Sequence, residues 1–156
     1  MVKNNMPDDP LTIRPAAPGD VLYITQLAGE LGYPASQNDV RQRLEGIGRD
    51  SAPAVVFVAQ LGDEVAGEVV GWLHAYRCAG LLAPPYAEIG GLVVGEAHRG
   101  RGIGRRLMEE AEAWARQHGC QQVRLRSNMV RAEAHRFYER IGYEAAKSQK
   151  VYWKAL

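Results

Sequence analysis

The sequence predicts a mixed α/β fold, a central β-sheet flanked by helices. Two observations carry this. Apolar residues fall into runs of period 2 and period 3.6 that read β-α-α-β-β-β-α-β-α-β-β along the chain. Strands and helices alternate through the second half, which calls for helices on the faces of the sheet. A third observation sets the scale. The chain has 156 residues, 46% hydrophobic and 24% charged, which suits one core-forming domain and argues against disorder.

Residues 1–10 are polar, with two prolines and two adjacent acids, and read as a flexible leader before a single domain over 11–156. Leu11 to Arg14 is a short strand stopped by Pro15. Asp20 is placed to cap a helix whose stripe is Val21, Ile24, Leu27, Ala28 and Leu31. Gly32 and Pro34 break it. Ser36 and Asp39 form a short capping box for a second helix carrying Val40, Leu44 and Ile47. Residues 54–61 and 65–76 read as a hairpin around Gly62-Asp63. Residues 77–85 are a loop, and 86–94 a strand with Gly90 and Gly91 in its middle, a bulge signal. Residues 104–118 form a helix with Ile103, Leu107, Ala111, Trp114 and Ala115 on one face, closed by Gly119. A strand follows over 122–126. A helix over 131–141 presents Ala134, Phe137, Tyr138 and Ile141 and ends at Gly142. Residues 143–155 hold two short strand candidates.

Composition removes several function classes. Lys+Arg is 19 and Asp+Glu is 18, so a nucleic-acid binder working through bulk positive charge is not expected. Two cysteines, Cys78 and Cys120, are too few for a disulfide framework or a zinc ribbon. His98, His118 and His135 show no metal-ligand spacing, and His135 reads as solvent-facing; no metal is expected. No stretch approaches a membrane span, and the opening residues lack the apolar core of a signal peptide. A cytoplasmic setting is the expectation.

The most informative segment runs from Leu92 to Arg106, LVVGEAHRGRGIGRR. A strand ends, a loop carries Arg99, Gly100, Arg101, Gly102 and Gly104, and a helix begins. Four arginines fall between positions 99 and 106 in a chain of net charge +1. Glycines let backbone N–H groups approach a ligand, and a helix N-terminus adds donors and partial positive charge. This suits a phosphate or pyrophosphate. No Lys-Ser or Lys-Thr follows, so a P-loop fails; Arg105 stands where a dinucleotide fingerprint needs glycine.

The run Arg99-x-x-Gly102-x-Gly104, after an apolar strand and before an amphipathic helix, resembles the acetyl-CoA signature R/Q-x-x-G-x-G/A of the Gcn5-related N-acetyltransferases. Ser127-Asn128 and the stretch from Ala134 to Tyr143 resemble that family's second motif, and the element order is similar from about Leu11 to Leu156. The resemblance implies acetyl-CoA as the bound group. The backbone of Leu92, Val93 and Val94 would pair with the pantetheine arm. The N–H groups of Arg99, Gly100, Arg101, Gly102, Ile103, Gly104 and Arg105 would hold the pyrophosphate. Asn128 and Ala134 would lie along the cofactor, and Tyr138 near the sulfur. Gly90 and Gly91 fit a bulge that splays the strands. Glu96 stands where the family usually has proline.

Acetyl transfer to an amine requires a group to take the amine's proton, a donor for the oxyanion and a proton for the thiolate. Glu88 is the base candidate. Along an unbroken strand it shares a face with Gly90, Leu92 and Val94, unless the glycine pair shifts it. Tyr138 is the acid candidate. Its spacing alone fits a core tyrosine, and the resemblance implies the role near sulfur. Trp72, His74 and Tyr76 alternate on one strand and either face the acceptor or pack as an aromatic sheet face. Tyr33, in the break between the first two helices, would line one wall of the acceptor pocket. The expected activity is N-acetylation of a primary amine, most simply a small molecule, in a ternary complex. Rival readings are a protein N-terminal or lysine acetyltransferase, a non-catalytic acyl-CoA sensor or interaction module, and an ATP-binding protein. Homodimers are common in the family.

Overall fold

The computed structural model describes residues 9–156, so the expected leader falls almost wholly outside the described residues. The chain forms two compact units, one ending at Leu125 and one comprising Arg126–Leu156.

The first unit holds β1 (Leu11–Pro15), α1 (Val21–Glu30), α2 (Gln37–Arg49), β2 (Ala54–Leu61), β3 (Glu68–Cys78), β4 (Tyr86–Val94), α3 (Ile103–Gln117) and β5 (Val123–Leu125). The sheet runs β1-β2-β3-β4-β5, antiparallel except for the parallel β4–β5 pair. Strand alternation sorts the core into two layers. Val56 and Val58 of β2, Trp72 of β3 and Val93 of β4 join Val21, Ile24 and Leu27 of α1 and Val40 of α2 in one cluster. Phe57, Ala59, Leu73 and Ala75 point to the opposite face, where α3 packs through Leu107, Met108 and Ala111. A Cβ on Gly71 would lie 2.9 Å from the Val93 carbonyl oxygen and 3.4 Å from a Leu107 methyl, so glycine there lets β4 pair and α3 seat closely.

Local chemistry explains most boundaries. The Ser36–Asp39 capping box forms: Asp39 N–H donates to Ser36 Oγ at 3.1 Å and Ser36 N–H to Asp39 Oδ2 at 3.3 Å. Gly119 ends α3 at φ +71°. β3 starts later than residue 65, because Asp63 Oδ1 accepts the Val65 N–H at 2.9 Å and folds that stretch into a turn.

Asp20 departs from its expected role, since its side chain does not cap α1. It accepts the Ala17 N–H at 2.7 Å instead, and Arg14 grips it with Nη1–Oδ2 at 2.8 Å and Nη2–Oδ1 at 2.9 Å. Arg14 Nε also donates to Gln60 Oε1 at 2.8 Å, and Gln60 Nε2 to the Asp63 carbonyl at 2.6 Å. Buried Gln60 and Asp20 are thus both satisfied. Burial pushes the Asp20 carboxyl up, but the bonds from Arg14 and Ala17 outweigh it and hold it below the usual range. Asp20→Asn should cost about 1–3 kcal/mol, less than a fully buried pair because Arg14 is partly exposed. The carboxylate's contribution is present above the unfolded value of about 3.9 and disappears as pH falls through the lower folded value. Urea unfolding at neutral and at acid pH should therefore show the variant's deficit shrinking in acid.

The second unit holds α4 (Ala132–Arg140). The Asn128 carbonyl accepts the Arg131 N–H at 3.0 Å before the helix, and Gly142 at φ +96° ends it. His135 is half-buried rather than solvent-facing, with Nε2 3.0 Å from the Asn128 carbonyl. The two strands expected over 143–155 are not formed, which corrects the predicted order to β-α-α-β-β-β-α-β-α. A strand is stabilised by a paired neighbour and a buried face. Among the described residues this segment pairs with no strand, and Val151, Tyr152 and Trp153 stay exposed.

Candidate active site

Two features of the first unit open a cleft in the sheet. β5 pairs with β4 only over Ala87, Glu88 and Ile89, so residues 90–94 of β4 have no β5 partner. The β3–β4 register also slips between His74 and Ala75, leaving Gly90 as the extra residue of a bulge. The glycines are required by what crosses them. A Cβ on Gly90 would lie 2.8 Å from His74 Nδ1, and one on Gly91 would lie 2.9 Å from the Trp72 ring.

The bulge changes the facing of β4. Glu88 stands opposite Tyr76, Gly91 opposite His74, and Val93 opposite Trp72. Glu88 therefore shares its face with Gly91 and Val93, not with Leu92 and Val94 as an unbroken strand would give. On this face lie Trp72, His74, Tyr76 and the buried carboxyl of Glu88. The His74 and Tyr76 rings are 5.2 Å apart. Burial pulls the His74 imidazole below its ordinary value, so it is neutral at pH 7. Trp72 packs against the α1–α2 cluster, so it is a core residue as well as a wall. Tyr33 is 71% exposed in the α1–α2 break.

The anion site lies at the next turn. Gly100 and Gly102 adopt φ +76° and +77°, and a Cβ on either would meet nothing within 4 Å. Left-handed residues in such a turn make backbone N–H groups converge, and the space above them is open. Gly102 caps α3 without a side-chain bond, and no acidic residue occupies the first turn. The first helical bond is Arg106 N–H to the Gly102 carbonyl, 3.1 Å. Among the described residues, the amides of Gly100, Gly102, Ile103, Gly104 and Arg105 have no backbone acceptor.

Most of the local arginine side chains are engaged elsewhere. Arg99 Nε donates to the Val94 carbonyl at 3.1 Å, Arg105 Nε to Glu109 at 3.0 Å, and Arg106 Nη1 to the Leu11 carbonyl at 3.0 Å. Backbone donors and the helix end, more than guanidinium charge, make the site anion-seeking. Arg99 also fixes the end of β4 against the turn, a tie the motif alone did not reveal. The Val94 carbonyl already has this donor, and the Gly95 N–H turns to the Val70 carbonyl at 2.8 Å, so by alternation Val93 faces β3 and Leu92 is the freer backbone along the open edge.

A separate pocket of about 140 Å³ lies between α1, the start of β3 and residues 95–98. Glu30, Glu68 and Glu96 line it, so it repels phosphate. Sequence reasoning did not find it, because its carboxylates come from three distant segments.

The second unit carries the remaining expected residues. Asn128 is exposed, and its Oδ1 accepts the Val130 N–H at 3.3 Å, which leaves the amide NH2 as donor. Ala134 and Tyr138 lie one turn apart on α4, both half-buried. Tyr138 stacks edge-on with Phe137 at 5.1 Å and with Tyr143 at 6.2 Å. Burial raises its phenol above the usual value, opposed by Arg131, so it stays protonated well past neutrality.

Among the described residues no helix is long and apolar enough to cross a membrane, and no cluster of His, Cys, Asp or Glu could hold a metal. An open strand edge, a left-handed glycine turn and an uncapped helix end fit an extended ligand with a pyrophosphate, as acetyl-CoA is. Comparison with known proteins agrees. The chain is 28% identical over 148 residues to an aminoglycoside N(6')-acetyltransferase of Stenotrophomonas maltophilia, covering 92% of each. It is 42% identical over 79 residues to an aminoalkylphosphonate N-acetyltransferase of Salmonella typhimurium, covering 50% of this chain and 51% of that one. An aminoglycoside N-acetyltransferase solved in complex with CoA superposes with a TM-score of 0.81 at 18% identity over 100% of both chains. The model of the acetyltransferase (GNAT) family matches residues 22–143, so the chain belongs to the GNAT family of acetyl-CoA-dependent N-acetyltransferases.

Proposed function

We propose that this enzyme acetylates the primary amine of a small molecule by direct transfer from acetyl-CoA, within one domain over residues 11–156. The observation that carries the reading is the incomplete β4–β5 pairing beside the Gly100–Gly102 turn. In this reading the backbone of Leu92, Val93 and Val94 aligns the pantetheine arm. The amides of Gly100, Gly102, Ile103, Gly104 and Arg105 hold the pyrophosphate, while the Arg99 amide is turned to the Glu96 carbonyl at 3.4 Å, and Asn128 and Ala134 line the arm. Acetyl-CoA supplies an activated thioester carbonyl.

The chain's own groups do the rest. Glu88 draws the ammonium form of the acceptor into the aromatic face of Trp72, His74 and Tyr76, with Tyr33 at its outer wall, and takes its first proton. A β4 amide near Leu92 or Val93 receives the developing oxyanion. Tyr138, protonated at working pH, gives its proton to the leaving thiolate. A small amine is favoured by the relatives, both named for small amine-bearing acceptors. The two cysteines, which form no disulfide, suit a reducing cytoplasm.

Saturating acetyl-CoA should stabilise the protein. At a hundred times Kd the gain is about 2.7 kcal/mol, or roughly 5–11 °C in melting temperature for this size. ATP should give no shift. A shift for ATP and none for acetyl-CoA would overturn the cosubstrate assignment. An amine panel read by release of free thiol then identifies the acceptor.

A further inference from the structure

Among the described residues, two buried side-chain polar atoms have no hydrogen-bond partner: Trp72 Nε1 and His74 Nε2. Both belong to the strip of β3 that faces the β4 bulge. An orphaned polar atom inside a fold is costly and calls for a reason. The indole nitrogen only donates. The imidazole can accept a proton.

The proton count of the proposed reaction needs such a group. An ammonium becomes an amide, so two protons leave nitrogen while the C–N bond forms and the C–S bond breaks. One proton ends on sulfur and one in solvent. Glu88 takes the first and gives it up to solvent after transfer; Tyr138 supplies the sulfur and regains a proton from solvent, so these two exchanges cancel. The second comes off nitrogen after attack, when the nitrogen bears positive charge and its proton has become acidic. Building on that reading, we propose that His74 Nε2 accepts this second proton from the attacking amine and passes it to solvent.

The placement supports this. His74 stands opposite Gly91, and its Nδ1 edge lies over Gly90, where any larger residue would displace it. Burial alone lowers its proton affinity, so the ring waits neutral at pH 7. The titratable and charged groups on its face are Tyr76 and Cys78 on β3, Tyr86 and Glu88 on β4, and Arg124 on β5, which pairs with Glu88 and lies over the Tyr86 ring. β2 contributes Val56, α2 contributes Val40, Leu44 and Ile47, and α1 brings Tyr23 to the adjoining cluster.

The test uses full-length wild type, His74→Gln and Glu88→Gln, with 2-aminoethylphosphonate and an aminoglycoside as acceptors. Glutamine keeps a polar amide in place but does not titrate. His74→Gln should lower kcat about 10²- to 10³-fold with an unchanged Kd for acetyl-CoA. It should also erase an acid limb of kcat/KM lying below the ordinary histidine value, and Glu88→Gln should keep that limb. An unchanged kcat and pH profile in His74→Gln would overturn the role of His74 while leaving acetyl transfer intact. Histidine-¹⁵N NMR of the wild type needs no variant: a His74 ring neutral at pH 7 supports the proposal, and a protonated ring overturns it. Acetyl-CoA binding without turnover of either amine would instead overturn the acceptor assignment, and the NMR result would still decide the His74 question.

Discussion

Replacing Gly102 by valine should abolish the thermal shift that acetyl-CoA gives the wild-type protein. Two effects combine. At φ +77° any L side chain is strained, and a β-branched one most, by about 1–2 kcal/mol. That strain alone would lower the melting temperature by roughly 2–8 °C. The second effect is specific to the ligand. A Cβ at this position meets no protein atom within 4 Å, so the added methyls project into the open space above the turn amides. There they block the pyrophosphate, and affinity should fall 100-fold or more, about 2.7 kcal/mol. Gly100→Ala separates the two, since it carries similar backbone strain with a smaller obstruction. Isothermal titration gives the affinities directly. A Gly102→Val protein that melts lower but binds acetyl-CoA normally would mean that the turn amides do not hold the phosphates.

Tyr138→Phe should leave acetyl-CoA affinity within about threefold and lower kcat roughly 100-fold, as loss of one positioned proton donor does. The hydroxyl is the only group removed, and the ring contacts with Phe137 and Tyr143 persist. Because burial raises the phenol's pKa, the acid form is depleted only above the usual tyrosine value. The wild-type rate should therefore fall in strong alkali, and that limb should vanish in the variant. An unaltered kcat would reassign Tyr138 to packing on the apolar face of α4.

Much of the site was legible because its determinants are local. Glycines at 100, 102 and 119 are required by positive φ, and the glycine pair in β4 did announce a bulge. Its consequence for Glu88 was legible only as an alternative. Whether Glu88 shares the face of Leu92 and Val94 or that of Val93 depends on whether the glycine pair adds one residue to the ladder, and that is decided by the pairing of β4 with His74 and Ala75 on β3. The glycine pattern already pointed to backbone donors; what it could not show is that the side chains of Arg99, Arg105 and Arg106 bind the Val94 carbonyl, Glu109 and the Leu11 carbonyl. Asp20 looked like a cap because it precedes α1, but Arg14, six residues earlier, claims it. The strands expected over 143–155 rested on propensity alone, which is weak without a paired neighbour.

The three-residue length of β5 has a consequence for turnover. A bare strand edge recognises an amide-bearing arm, and that arm is the same before and after the acetyl group has gone. Edge pairing binds substrate and product alike, so it gives affinity without favouring the forward reaction. Discrimination between acetyl-CoA and CoA must come from the few groups at the bulge, and free CoA is built to compete for the same edge.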